Sequence, residues 1–150
     1  MQLQTYEALD IPVAGNATGS DTTLLNPLLS ASIGLCASSV SITRTNVIAD
    51  FTAHESTFDG YARKVITWNK PERLDNGTIG CVGTAAEWRP TGSTSPGSVY
   101  SIFITGSTST TLMAAGALDD APVPMEDAHS ALVVTVIFNP VTGGIIIDVA

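Results

Sequence analysis

The second half of this chain is cut into strand-length pieces. "VYSIFIT" is stopped by "GSTST", "TLMAAGALD" by the proline-rich "DAPVPMEDAHS", and "ALVVTVIF" by "NPVTGG" ahead of "IIIDVA". Apolar runs this short cannot bury the face of a multi-turn helix, but they match the usual length of a strand. The same rhythm holds from residue 31 onward. "ASIGLCASSVSITRT" ends in alternation, with Val40 and Ile42 on one face and Ser39, Ser41 and Thr43 on the other. "GYARKVITW" and "TIGCVGTAAEW" flank "NKPERLDNGT", in which Asn76-Gly77 is the strongest hairpin signal because both residues tolerate positive φ. "VYSIFIT" is apolar on both faces and reads as a central strand. About eight short strands joined by turns pair antiparallel and predict an all-β domain, a β-sandwich or jelly roll.

The chain has 150 residues, enough for one domain with a proper core. Residues 1–21 differ from the rest: Pro12, Gly15 and Gly19 interrupt any period, and the segment reads as an extended N-terminal arm. Residues 22–150 form the β-sandwich domain, and loss of residues 1–20 is expected to leave that core folded while impairing assembly. "SDTTLLNPLLSAS" starts like a short helix capped by Ser20 or Asp21, which Pro27 limits to about a turn on either side.

Composition narrows the function. Only 13% of residues are charged, and Ser, Thr, Gly and Asn fill the gap, while 44% are hydrophobic, which is incompatible with disorder. A net charge of -8 with six Lys and Arg is a thin supply for neutralising phosphates, so no nucleic-acid partner is expected. The longest apolar run, Ala131 to Phe138, is far too short to span a bilayer, and no membrane partner is expected either. The start "MQLQTYEALD" lacks the basic and apolar regions of a signal peptide, so the protein is expected to be made and kept in a cytoplasm unless an assembly carries it elsewhere.

The search for chemistry nominates no catalytic residue, cofactor or metal. His54 and His129 lie in polar connections without ligands at metal spacing. Asp119-Asp120 and Glu126-Asp127 lack the oxygen spacing and turn glycine of a calcium loop. Ser95 in "TGSTSPGS" is followed by Pro-Gly, unlike a nucleophile elbow. Cys36 and Cys81 sit in apolar settings where a free thiol acts as a small hydrophobe, and a bridge needs neighbouring strands to align them.

One segment breaks the acidic pattern. "FDGYARKVITWNKPER", Phe58 to Arg73, holds four of the six basic residues. As a strand it puts Tyr61, Arg63, Val65 and Thr67 on one face and Ala62, Lys64, Ile66 and Trp68 on the other. Each face mixes apolar groups with a charge. Two readings stand: an edge strand guarded by charge, or a protein contact built from basic and aromatic side chains. The contact reading nominates Arg63, Lys64, Trp68, Lys70 and Arg73, with Tyr6 from the arm.

The order "TLLNPLLSASIGLCASSVSITRTNVIADFTAHESTFDGYARKVITWNKP" resembles small virion structural proteins of tailed bacteriophages. The matching residues are Ala49, Asp50, Phe51, Thr52, Phe58, Gly60, Tyr61, Ala62, Thr67 and Trp68. "VYSIFITGSTSTTLMAAGALDDAPVPM" is similar to the paired strands of that group, so the resemblance covers roughly residues 22–138. It implies a non-enzymatic β-sandwich on the virion, of the capsid decoration (cement) type. It further implies the major capsid protein as partner, self-association as a homotrimer, and a place on the capsid surface after assembly in the bacterial host cytoplasm. The arm departs from the pattern and leaves a tail position open. There the alternative is a receptor- or glycan-binding (adhesin) module, with "PTGSTSPGS" and Trp88 as a shallow site.

Overall fold

A computed structural model describes residues 3–5, 30–69, 72–75, 77–92, 97–106, 110–139 and 144–150. The fold is an all-β antiparallel sandwich, with one short helix among the described residues. Sheet 1 has the order β1 (Gln4–Thr5), β9 (Leu112–Ala117), β8 (Ser101–Thr105), β2 (Ser32–Cys36), β3 (Lys64–Val65). Sheet 2 has the order β12 (Gly144–Val149), β11 (Leu132–Asn139), β5 (Ile79–Val82), β4 (Glu72–Arg73), and β6 (Ala86–Trp88) also pairs with β11. A two-stranded piece joins β7 (Gly97–Val99) to β10 (Val123–Met125). The expected hairpin is formed by β4 and β5, and Gly77 adopts the positive φ of 82° that its turn demands.

The main core lies between the sheets. Ile33 and Leu35 of β2, Ile102 and Ile104 of β8, and Met113 and Ala114 of β9 face Val134, Val136 and Phe138 of β11 and Ile145 and Ile147 of β12. On β11 burial alternates residue by residue, as a strand with one dry face requires.

Both open sides of the sandwich are stitched by backbone that crosses from one sheet to the other. On one side Gln4 and Thr5 pair with Ala115 and Ala114 of sheet 1, while the Leu3 N–H donates to Ile145 O of sheet 2 at 2.8 Å. Leu3 itself is buried in the main core. The described beginning of the expected arm is thus part of the sandwich; residues 6–21, and with them Tyr6, lie outside the described residues, as does the expected helix start at 20–29. On the other side Lys64 and Val65 pair with Ile33 and Ser32 of sheet 1. Three residues later the same segment has passed to sheet 2: Thr84 N–H donates to Thr67 O, and Asn69 N–H to Val82 O.

The second face of sheet 1 is covered by the chain's own connection, residues 37–56. Its ends are held together by Ala37 N–H donating to His54 O and Ser56 N–H donating to Leu35 O. Between them lies α1 (Ile48–Thr52), begun where the Asp50 carboxylate accepts the Val47 N–H at 2.9 Å. Phe51 of α1 and Val40, Ile42 and Ile48 close over Cys36, Phe103, Leu112 and Ala115 as a second, smaller core. Val40 and Ile42 share a face as the alternation predicts, but they lie outside any named strand and dock as part of this roof. Gly34 is required beneath it: a Cβ there would stand 2.2 Å from the Phe103 ring.

Cys36 and Cys81 are both free and buried. Cys36 belongs to the roofed face of sheet 1, whereas Cys81 pairs with Phe138 of the core-facing row of sheet 2, so the strands do not align them.

Candidate functional site

The basic segment enters the fold through a polar clamp. Glu55 pairs in a bridge with Cys36, which brings its carboxylate to Arg63. Arg63 donates from Nε and Nη2 to the two carboxylate oxygens at 2.7 and 2.8 Å, and the Tyr61 hydroxyl donates to Oε1 at 2.7 Å. The same hydroxyl accepts the Leu35 N–H at 3.1 Å, and the Arg63 guanidinium lies 5.1 Å from the centre of the Phe103 ring. The pair is about four-fifths buried, with side-chain exposures of 22% and 20%. Burial alone would raise the Glu55 carboxyl, but hydrogen bonds from Arg63 and Tyr61 and the guanidinium charge outweigh it and hold the group below its ordinary range. Burial, then the bond to Glu55, pushes the Tyr61 phenol above its usual value. This clamp bolts the roof to the start of the crossing segment.

The nominated residues do not form one patch. Arg63 turns inward to Glu55, and Trp68 is half-buried against the main core and bridges to Gly83. Lys64 pairs with Ile33 of the main core and is half-buried. Arg73 is exposed on the hairpin. Lys70 lies outside the described residues. Mixed faces follow from the crossing: Ile66 and Trp68 look inward, whereas Val65, 62% exposed, and Thr67 look out beyond the edge of the roof.

A second surface begins where the basic segment ends, at Glu72 and Arg73 on the β4–β5 hairpin. No named element of the described residues packs over the outer face of sheet 2. Val82 pairs with Ile137, and Ile137 with Ile146, so three aliphatic side chains form a row across β5, β11 and β12. Leu74 joins them by lying over Gly80, where a Cβ would meet its Cδ1 at 2.5 Å. These four, all half-buried, line a groove of about 390 Å³ bounded by Glu72, Arg73 and Asp75. Thr135 and its exposed partner Asp148 continue the face along β11 and β12. Sequence reasoning missed this face. Its only signal was the alternating half of "ALVVTVIF" and of "IIIDVA", which does not say which half is wet.

Trp88 is buried, and its indole N–H donates to Ala62 O at 2.8 Å, so it offers no platform for a sugar. Residues 93–96 of the neighbouring loop lie outside the described residues. His54 Nδ1 and Ser38 Oγ are hydrogen-bonded at 2.7 Å, and the Asp127 carboxylate caps the turn at His129 and Ser130. Among the described residues no group of three or more His, Cys, Asp or Glu stands in metal-binding array, and no helix is long and apolar enough to cross a membrane. No family model, curated protein or solved structure matches the chain.

Proposed function

We propose that the chain is a non-enzymatic structural protein of a tailed-bacteriophage virion, a capsid decoration (cement) protein that binds the shell where major capsid subunits meet. The observation that carries this reading is the asymmetry of the sandwich: both open sides are stitched and sheet 1 is roofed, while the aliphatic face of sheet 2 is left open by the described residues. A protein that reinforces a shell must transmit strain between subunits without opening, which two cross-sheet stitches resist. Each contact with the shell can be weak, because many copies on one particle add avidity. The virion itself comes from the sequence resemblance over residues 22–138, and so does the homotrimer. In this reading the protein is made in the host cytoplasm, sits on the outside of the head, and uses no cofactor.

Quantitative mass spectrometry of purified particles tests it. The expected copy number is comparable with that of the major capsid protein. A count of a few dozen per particle would sink the decoration reading and direct attention to the tail.

A further inference from the structure

We infer that the outer face of sheet 2 docks a segment of a different protein that is apolar at its centre and flanked by lysine or arginine. The inference takes from the proposed function only that the chain is a binding module, and it stands whatever the particle.

The apolar half follows from the groove. Val82, Ile137 and Ile146 form a row at ladder spacing, and Leu74 closes its end, so aliphatic side chains standing on an extended or ridged partner would lose water against four aliphatic neighbours. The outer face of sheet 1 is covered by residues 37–56, and no element of the described residues does the same for sheet 2.

The basic half follows from the rim. Among the described residues, Glu72 and Asp75 at the hairpin and Asp148 on β12 set three carboxylates around the row against the one guanidinium of Arg73. Glu72, Asp75 and Asp148 are exposed, so their field acts across water on whatever approaches. A second copy of this chain is the wrong occupant, since it would bring the same rim on a body of net charge -8. A lysine- or arginine-flanked segment meets both the floor and the rim.

The test uses the full chain and two labelled peptides with the same short central run of valines, one flanked on both sides by lysine and one by glutamate. Binding is followed by fluorescence anisotropy at low and moderate salt, and the site by backbone amide shifts. The lysine peptide is expected to bind saturably, with shifts concentrated at Val82, Thr135, Ile137 and Ile146, and to weaken as salt rises. The glutamate peptide is expected not to bind. Replacing Ile137→Thr together with Ile146→Thr keeps strand-forming residues and should weaken binding roughly tenfold. Asp75→Asn with Asp148→Asn should flatten the salt dependence, and a melting curve for each variant shows that it is folded. Equal binding of both peptides, shifts mapped elsewhere, or unaltered binding by the isoleucine double variant would overturn the proposal. So would a dimer in sedimentation that the isoleucine double variant abolishes, because the occupant would then be a second copy. The particle count can fail without disturbing this result, and the peptide result can fail without altering the count.

Discussion

Arg63 stands between Glu55 and the ring of Phe103, two neighbours that lie 8 residues before it and on a distant strand. Its removal leaves a largely buried carboxylate without its bidentate partner and strips a cation from an aromatic face. Arg63→Ala is expected to cost about 1–3 kcal/mol in urea unfolding, whereas Arg73→Ala, exposed on the hairpin, should stay within about 0.5 kcal/mol. The pair also sets a pH dependence. Because the Glu55 carboxyl is held below its ordinary value in the fold, it contributes stability that is present above its unfolded pKa. That contribution is lost as pH falls through the lower folded value. Acid unfolding of Arg63→Ala should therefore show a shallower loss across that window than the parent. A second residue-scale test concerns Thr105, whose hydroxyl is buried on β8 and has no hydrogen-bond partner among the described residues. Thr105→Val keeps the β-branched shape and removes an unsatisfied group, so the variant should be more stable by roughly 1 kcal/mol. A lower melting temperature would show that the hydroxyl is bonded in solution. Arg63 was legible as an unusual arginine from its place in the sequence; that it faces inward was not, because Glu55 reaches it only through the pairing with Cys36.

Elements were legible wherever period and punctuation agreed. "VYSIFIT", "TLMAAGALD", "ALVVTVIF" and "IIIDVA" hold all or nearly all of β8, β9, β11 and β12, and Gly77 has the positive φ expected at its hairpin. Three elements were not. Residues Val123–Met125 make β10 inside a proline-rich connection, because β7 supplies a partner that local propensity does not record. Residues Ile48–Thr52 make α1, too short for a period, with only the Asp50 carboxylate marking its start. Residues 84 and 85 interrupt what reads as one strand, so β5 and β6 contact β11 separately. The outer face of sheet 2 was hidden for a related reason: Ile137 and Ile146 alternate with core residues of equal hydropathy, and only burial in the fold distinguishes the two sets. The roof itself gives the prediction at this scale. Gly34 lies flat under the Phe103 ring, which Phe51 contacts from α1 at 5.7 Å between centroids. Gly34→Ala must lift that ring and is expected to cost about 1–3 kcal/mol. Hydrogen exchange should show the loss concentrated in residues 37–56, with β11 and β12 still protected. Uniform loss of protection would mean that roof and sandwich unfold as one unit.

The whole molecule is held shut by contacts between the two ends of the chain, and this revises what an N-terminal arm means here. Leu3 is 3% exposed in the main core and is bonded to Ile145, so trimming the first residues removes core rather than decoration. Leu3→Ala is expected to cost about 2–5 kcal/mol, and a chain lacking residues 1–5 should fold with reduced stability rather than leave the core untouched. The order of events follows from chain entropy. The β4–β5 and β11–β12 hairpins close short loops, while joining residue 3 to residue 145 closes nearly the entire chain, at a greater entropic cost. A contact of that kind forms after the sheets exist to receive it, so its energy is absent from the transition state. The stability lost in Leu3→Ala should therefore appear almost wholly as faster unfolding, with the folding limb of the chevron nearly unmoved. Stopped-flow measurements in urea decide the matter. If Leu3→Ala instead slows folding by most of its equilibrium cost, the terminal stitch belongs to the nucleus, and the sandwich is assembled around its ends rather than closed by them.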